Sequence, residues 1–453
     1  MRRIGRIFGW GALALLSVAT ALLLVNAFDE PLTPEVRALL EKPDEPLTRQ
    51  QNMFYAAVGF RTAGQDMEQA GWERVQAINA ALRAGKSWQD AESIGAQGTL
   101  KTVGDGECLS RSSDLPLLLD FLQAHKSEAE ALLKDNSKLM QRYADLASYQ
   151  RFAATTPADV LAAFLPAWGG ISCGKRLWML DLAQRVATGH LDSAITWLQQ
   201  DTLFWRHMIA EKRIGLIGKM VMLAQLRTNF RTAAQLVHDY PMNAVQLSLL
   251  RDMAKPLTSN ERSLASVFED EFRWQASELR KLGASSQLLE RLPNDEPPTI
   301  FERLSVFVQK RFYLRNATIN LVYGEISKQI EFDGHACDRY AMDKAAGEKK
   351  VDMTWLAVRN PTGKIIVDQS TSVLHNYTGR MCDLQGFQRL LDLQLQLHQN
   401  KVADDQVEAV VRSAGPDYAD PFTGGPMQWL PLSRALSFGA LDKRDQGMLP
   451  WPI

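Results

Sequence analysis

Hydrophobic and polar positions are most sharply segregated at the start of the chain. The residues from Ile7 to Ala27 carry no formal charge and are mostly Leu, Ala and Val, whereas three arginines stand among the six residues before them. A helix of that length is roughly 30 Å long, about the thickness of a hydrocarbon core. Positive charge is retained on the cytoplasmic side, so we expect residues 1–6 inside and the body of the protein outside.

Two interpretations of this segment stay open. The first is an uncleaved transmembrane helix over 7–27 in a bacterial inner membrane, with a periplasmic body. The second is a signal peptide cut after Val25-Asn26-Ala27, a small-x-small site, which would secrete the body into the periplasm. The apolar run is longer than the usual signal-peptide core of roughly 7–15 residues, which favours the anchor.

A proline-rich stretch follows the apolar segment. Pro31, Pro34, Pro43 and Pro46 stand among acidic residues, which predicts an extended stalk over 28–46 with a short helix at Pro34–Glu41. Helical signals dominate from Thr48 onwards, where a helix through Val58 is expected. They continue to a second proline cluster at 293–298, so we predict a helical periplasmic domain over 47–292.

The clearest helical array lies between residues 175 and 240. Apolar residues recur there three and four positions apart, which is typical of amphipathic helices. Three such stripes stand at Leu177, Leu180 and Val186, at Leu191, Ala194, Ile195 and Leu198, and at Ile214, Ile217, Val221 and Ala224. No second copy of any segment follows at a fixed period, so a repeat solenoid is only a minor alternative.

The pattern changes after Pro298, and we predict a mixed C-terminal domain over 299–453. Residues 301–312 and 386–399 have helical periodicity, whereas Ala317–Tyr323 favours a strand. Segments 354–358 and 364–367 flank Asn360-Pro361-Thr362-Gly363, which predicts either a hairpin or a loop. The expected fold is therefore mainly α: a helical bundle or irregular helical array after an N-terminal transmembrane helix, with a small mixed α+β C-terminal part.

Composition narrows the class of protein and its partners. The chain is 46% hydrophobic and 23% charged, as expected for a globular protein. Its net charge is −1, so it lacks the basic field that broad nucleic-acid binding requires. We expect a membrane and a protein of the envelope as partners, and no nucleic acid.

Four cysteines, Cys108, Cys173, Cys337 and Cys382, fall two in each half of the chain. An even number in an oxidising compartment suggests two disulfides. Of the three possible connectivities we favour Cys108–Cys173 with Cys337–Cys382, because each pair then stays within one predicted domain. The chain has no Cys-x-x-Cys motif and no His at ligand spacing from a Cys, which disfavours a metal site.

One sequence motif suggests a nucleophile. Gly170-Ile171-Ser172-Cys173-Gly174 matches the Gly-x-Ser-x-Gly elbow of α/β-hydrolases, where a strand must precede the serine and a helix must follow it. The preceding residues do not read as a strand. The favoured interpretation is a glycine-flanked loop that positions a disulfide cysteine before a helix.

Other polar residues offer only weak candidates for chemistry. His207 and Glu211 have the i, i+4 spacing of two metal ligands, but no third ligand is evident, so a solvent-facing pair is favoured. The acids at 269–271 fit a solvated helix face better than glycan hydrolysis, because consecutive helical residues point in different directions. Glu73, Glu302 and Asp383 are further acids with no supporting context.

Cofactor motifs are also missing from the sequence. Residues 214–219, Ile-Gly-Leu-Ile-Gly-Lys, have the wrong spacing for a phosphate-binding loop. The aromatic residues of the array are expected in the core rather than in a binding box; these are Trp178, Trp197, Phe204 and Trp205. We predict no cofactor and no metal ion, and we leave the catalytic residues of any enzyme unassigned.

Three short motifs in the C-terminal third carry a resemblance. They are Asn360-Pro361-Thr362-Gly363, Arg389-Leu390-Leu391-x-Leu393, and Asp420-Pro421-Phe422-Thr423-Gly424-Gly425-Pro426-Met427-x-Trp429. Together with the N-terminal apolar segment, they resemble a loose group of bacterial single-span envelope proteins without an assigned activity. The resemblance covers about the last 100 residues and the layout of the chain. It implies a mainly helical envelope protein and transfers no catalytic residue.

The sequence therefore predicts a bitopic inner-membrane protein whose helix-rich periplasmic body serves as a binding or scaffold component of the envelope. The alternative is a periplasmic hydrolase that acts on a cell-wall glycan.

Overall fold

The computed structural model describes residues 2–42, 49, 51–62, 64, 66–84, 113–154, 167–284, 311–331, 337, 340, 342, 358–371, 374–441 and 447–450. In the first helix, side chains are described from Trp10 onwards. Within these residues the fold is mainly helical, with a small antiparallel sheet near the C-terminus.

The chain divides into two compact units that do not follow the predicted domain order. Unit 1 combines Met1–Asp44, Phe268–Phe332 and Met342–Asn376, and unit 2 combines Glu45–Val267, Asp333–Ala341 and Tyr377–Ile453. Each unit is therefore built from segments on both sides of the predicted boundary at 293–298. That boundary itself lies outside the described residues.

Within the described residues, unit 1 contains the N-terminal helix and four later helices. Its helices are α1 (Arg2–Val25), α2 (Pro34–Glu41), most of α13 (Ala265–Ala284), α14 (Arg315–Glu331) and α15 (Pro361–Thr371). The predicted short helix at Pro34–Glu41 is present: the Thr33 side chain accepts a hydrogen bond from the Val36 N–H, and Pro34 occupies the first position.

Unit 2 holds the long helical array. Its helices are α3 (Met53–Val58), α4 (Met67–Arg83), α5 (Leu115–Ala124), α6 (Lys126–Asp135), α7 (Ser137–Asp145), α8 (Trp168–Ala187), α9 (Leu191–Ile209), α10 (Leu216–Asp239), α11 (Ala244–Ala254), α12 (Ser259–Arg262), most of α16 (Leu374–Gln399) and α17 (Asp404–Ser413). Helix α8 packs against α5, α7 and α9, and α9 packs in turn against α10 and α11. The stripes predicted in α8 and α9 face this core, with Leu191 half-buried. The stripe predicted in α10 is wrong, because Ile214 is buried but Val221 is half-buried and Ile217 and Ala224 are exposed.

The C-terminal part of unit 2 carries the sheet. Strands β1 (Gln428–Leu430), β2 (Ala435–Ser437) and β3 (Met448–Pro450) pair antiparallel in that order, with Leu436 opposite both Trp429 and Leu449. The loop before it begins at Asp420 and is held by hydrogen bonds of that side chain. The buried Asp420 carboxylate accepts hydrogen bonds from the Phe422 N–H at 2.7 Å and the Gly439 N–H at 2.9 Å.

Two strands expected from the sequence are helices instead. Ala317–Tyr323 lies inside α14, because Asp29, a residue distant in sequence, accepts hydrogen bonds from the N–H groups of Asn316 and Ala317 at its start. Residues 364–367 lie inside α15, so the predicted hairpin does not form there. Asn360 and Pro361 mark a helix start rather than a turn, since Pro is favoured at the first helical position. Residues 354–357 lie outside the described part of the chain.

The predicted membrane segment is helical through Val25. Among the described residues, no helix combines the length and the apolar character needed to cross a membrane.

Candidate functional site

The Gly-x-Ser-x-Gly motif does not form a nucleophile elbow. Residues Gly170–Gly174 lie within the first turns of α8, which starts at Trp168. An elbow needs the serine on a strained turn between a strand and a helix, and Ser172 has ordinary helical surroundings instead. The expectation of a loop before the helix is also wrong, because the cysteine of the motif is itself helical.

His207 and Glu211 do not share a helix face. Helix α9 ends at Ile209, so Glu211 lies beyond it, and the ring of His207 forms a 2.6 Å hydrogen bond with the carbonyl oxygen of Gln150. Within the described residues, no group of three His, Cys, Asp or Glu side chains has the geometry of a metal site.

The candidate acids have separate local roles. Glu269 pairs with Lys42 at 3.4 Å, and Glu271 accepts a 3.0 Å hydrogen bond from Gln275 on the same helix. Burial raises the pKa of Glu271. Asp383 is buried and accepts a 2.7 Å hydrogen bond from the Leu441 N–H, which anchors the chain between β2 and β3.

Two candidate acids remain, Glu73 and Glu302. Glu73 is exposed on α4 and accepts a hydrogen bond from Gln69. Glu302 lies outside the described residues.

The cysteines agree with the predicted pairing as far as the structure describes them. Cys337 and Cys382 form a disulfide within unit 2. Cys173 is also disulfide-bonded, and its predicted partner Cys108 lies outside the described residues.

A buried polar cluster in unit 2 was missed by the sequence reasoning. Lys175 on α8 donates 2.6 Å hydrogen bonds to Asp201 on α9 and to Asn229 on α10, and all three side chains are buried. Asp201 also accepts hydrogen bonds from Asn229 at 2.7 Å and from the Tyr143 hydroxyl at 2.8 Å. The indole N–H of Trp205 donates to the same hydroxyl at 2.9 Å. We call these five side chains the Lys175 cluster.

The electrostatics of the Lys175 cluster follow from its burial. Desolvation lowers the pKa of Lys175, and the facing Asp201 carboxylate opposes that shift. Desolvation and the same carboxylate raise the pKa of Tyr143 well above its ordinary value. The Lys175 ammonium also lies 4.1 Å from the ring centroid of Trp178, a cation–π arrangement.

The Lys175 cluster is built to hold helices together rather than to react. Its lysine is satisfied by a carboxylate, an amide oxygen and an aromatic face, so a ligand would have to displace one of them. The sequence signal was faint: one lysine and one aspartate stand at core-facing positions of stripes that are otherwise apolar. Of the four aromatic residues expected in the core, Trp178 and Trp205 are buried, whereas Trp197 and Phe204 are half-buried.

The second candidate feature is the surface of α1 in unit 1, where apolar side chains are exposed. Every side chain from Trp10 to Val25 is exposed except Leu22, which is half-buried. Trp10 is 71% exposed and Leu15 is 74% exposed. The exposed large apolar side chains run along the whole described length of the helix; they are Trp10, Leu13, Leu15, Leu16, Val18, Leu23, Leu24 and Val25.

The two hydroxyl groups of α1 donate hydrogen bonds to its own backbone. The Ser17 hydroxyl donates to the Leu13 carbonyl at 2.9 Å, and the Thr20 hydroxyl donates to the Leu16 carbonyl at 2.8 Å. Such i−4 bonds satisfy a hydroxyl without water, which suits a helix in an apolar environment.

The end of α1 is tied into unit 1 by a set of polar contacts. The Asn26 amide donates to the Val358 carbonyl at 2.8 Å, and its oxygen accepts from the Asn360 N–H at 2.8 Å. Arg359 donates to the Val25 carbonyl at 3.0 Å. Asn26 is only 2% exposed, so the last turn of α1 belongs to the folded unit.

Residues 29–33, predicted to form part of a stalk, are bound to α14. Asp29 accepts from the first N–H groups of that helix, and the Asn320 amide donates to Glu30 at 2.9 Å and to the Pro31 carbonyl at 3.1 Å. The Thr33 N–H donates to the Asn320 oxygen at 3.1 Å. This segment is thus attached to the unit over its whole length.

No protein-family model, no curated protein and no solved structure matches the chain. The apolar surface of α1 and the polar contacts at its end are the features of the described residues that point to a function.

Proposed function

We propose that this protein is a binding or scaffold component of a bacterial cell envelope, held at the membrane by α1, with its body on the periplasmic side. The observation that carries the proposal is the exposure of apolar side chains over the whole described length of α1. Leaving each of these side chains in water forgoes roughly 1 kcal/mol or more. An apolar surrounding for α1 removes that cost.

The distribution of the exposed side chains supports lipid as the surrounding. A partner helix or a groove covers one stripe, whereas a helix that is apolar on all sides is typical of a protein core or a bilayer. The exposed residues of α1 include consecutive positions such as Leu15 and Leu16, and also Leu23 to Val25, so they do not form one stripe. The arginines at positions 2, 3 and 6 support an orientation with the N-terminus in the cytoplasm.

A binding role fits the body of the protein better than catalysis. The candidate acids at 269–271 and 383 hold local structure, the serine motif is helical, and the Lys175 cluster is already satisfied. A glycan hydrolase would need two carboxylates facing each other roughly 5–10 Å apart and available to the substrate. The buried carboxylates of Asp383 and Asp420 instead accept hydrogen bonds from backbone N–H groups. We infer that the body binds a protein of the envelope.

Membrane fractionation tests the attachment. The wild-type chain should remain in the membrane pellet after an alkaline carbonate wash, and its body should be digested by protease added to spheroplasts. Replacing Leu15 and Leu16 with lysine places two charges in the apolar helix, at a cost of about 3 kcal/mol each at a bilayer centre, and should move the protein out of the pellet. The matched control is Val245→Lys, an exposed apolar residue of unit 2, which should not change the fractionation.

Crosslinking in intact cells, followed by purification from the membrane fraction, tests the partner. We expect one or a few envelope proteins to be captured by the wild type and not by the Leu15/Leu16 double variant. A wild-type protein that washes off the membrane would contradict the attachment, and glycan-cleaving activity without a partner would contradict the binding role.

A further inference from the structure

We propose that Asn26 locks α1 onto unit 1, so that α1 stays in the mature protein instead of being removed after Ala27. The proposed function needs α1 to be retained, and the evidence for its retention here comes only from contacts within unit 1. It decides between the two interpretations that the Val25-Asn26-Ala27 sequence leaves open.

The contacts of Asn26 run in both directions along the chain. Its side-chain nitrogen donates to the Leu22 carbonyl at 2.9 Å, inside α1, and to the Val358 carbonyl at 2.8 Å, at the approach to α15. Its side-chain oxygen accepts the Asn360 N–H at 2.8 Å. One buried amide therefore joins the last turn of α1 to a segment more than 300 residues later.

Asn360, which Asn26 contacts, is itself held in place by hydrogen bonds. Asn360 is 2% exposed and has a φ of 54°, a left-handed conformation that Asn tolerates better than most residues. Its side-chain oxygen accepts the Leu314 N–H at 2.9 Å, and its nitrogen donates to the Thr318 hydroxyl at 3.0 Å. Asn26 thus connects α1, through Asn360, to the first turn of α14.

Removal of residues 1–27 would leave this structure incomplete. The buried Asn360 N–H would lose its acceptor, and Val358 and Arg359 would lose the partners that Asn26 and Val25 provide. A buried backbone N–H without a partner is costly and rare in native proteins. A signal peptide is not needed in the mature fold, whereas Asn26 supplies groups that the fold uses.

Substitution of Asn26 tests the proposal directly, because position 26 exists in the mature protein only if α1 is retained. Asn26→Ala leaves Val25 and Ala27, the small residues of the cleavage site, unchanged. The full-length wild type and this variant would be purified from membranes in mild detergent. Intact-mass measurement would give the N-terminus, and thermal unfolding would give the stability.

We expect an intact mass near the 50.8 kDa of the full chain for the wild type. We expect Asn26→Ala to lower the melting temperature by roughly 4 °C or more, because the Asn360 N–H loses its acceptor. Asn320→Ala is the positive control, since its partners Glu30, Pro31 and Thr33 follow the cleavage site and remain in either form. Ser17→Ala, on the exposed surface of α1, is the negative control.

A mature N-terminus at Phe28 would overturn the inference, and so would an unchanged melting temperature for Asn26→Ala beside a lowered one for Asn320→Ala. A different result would contradict the proposed function. A full-length chain that is destabilised by Asn26→Ala but found outside the membrane fraction would support the lock and contradict the attachment.

Discussion

Units 1 and 2 place their most distinctive groups in opposite environments. Unit 2 buries a charged pair, Lys175 and Asp201, in the middle of its helices and satisfies it completely. Unit 1 leaves the apolar side chains of α1 exposed and buries an uncharged amide, Asn26, at the base of that helix. The Lys175 ammonium is therefore already occupied by its own partners, whereas α1 leaves an apolar surface exposed, and we propose that function lies at that surface.

The largest expected effect comes from breaking the Lys175 cluster. Asp201→Ala would leave the Lys175 ammonium buried without its carboxylate, and such losses typically cost roughly 3–5 kcal/mol. Urea unfolding should show this loss in unit 2. Asp405→Ala, at an exposed position of α17, should change stability by less than about 0.5 kcal/mol.

A double variant sharpens this result. If the unpaired charge causes the loss, Lys175→Met combined with Asp201→Ala should be more stable than Asp201→Ala alone, because no buried ammonium then remains. A double variant as unstable as the sum of both single variants would show that packing, not charge, dominates the cluster.

The disulfide of unit 2 should have the next largest effect. Cys337 lies in the segment Asp333–Ala341, which unit 1 segments flank in sequence, and its bond to Cys382 spans 45 residues. Replacing both cysteines with alanine should destabilise unit 2 by about 2–4 kcal/mol through the freedom gained by the unfolded chain. Calorimetry that shows the same unfolding transitions with and without the disulfide would contradict this.

Two glycines of unit 1 should respond to alanine with opposite signs. A Cβ at Gly363 would overlap the Thr318 hydroxyl and the Asn360 amide, so Gly363→Ala should cost about 1–3 kcal/mol. A Cβ at Gly324 meets nothing within 4 Å inside α14, so Gly324→Ala should stabilise by roughly 0.5–1 kcal/mol. Thermal unfolding of the two variants checks both signs, and a shift in the same direction would contradict the packing around Asn360.

The smallest expected effect is a pH dependence in unit 1. Burial raises the pKa of the Glu271 carboxyl above its ordinary value of 4.5, so the folded unit binds that proton more tightly than the unfolded chain does. The resulting contribution is complete below the unfolded pKa and is lost as the pH rises through the folded pKa. Glu271→Gln should therefore flatten the fall in stability above about pH 4.5, measured as urea midpoints across pH 4–8.

The matched control is the same substitution at Glu278, a half-buried residue of the same helix that pairs with Lys281 at 2.9 Å. Parallel profiles of stability against pH for wild type and Glu271→Gln would contradict a raised pKa at Glu271.

The long stripes of α8 and α9 and the short capped helix Pro34–Glu41 were predictable, whereas the helix over 317–323 was not. The stripes of α8 and α9 extend over several turns, so one face had to be buried whatever the tertiary structure. Residues 317–323 contain β-branched side chains, and local propensity favoured a strand. The start of α14 is instead satisfied by Asp29, a residue 287 positions earlier, and no local pattern contains that information.

The candidate sites also depend on contacts between residues that are distant in sequence. Asn360-Pro361 suits both a turn and a helix start, and only the contacts with Asn26, Leu314 and Thr318 select the helix. The Lys175 cluster joins α7, α8, α9 and α10, so its members are far apart in sequence and look like isolated polar residues in apolar stripes.

The sequence by itself determined the mainly helical class, the apolar segment with its basic start, and the even number of cysteines that suggests disulfides. These depend on local periodicity, charge and cysteine number. The tertiary structure decided which segments form each unit, that Asp201 neutralises the buried Lys175, and that Asn26 is buried at the base of α1. Those outcomes depend on hydrogen bonds between distant segments, because a buried polar group must find its partner wherever the fold brings one.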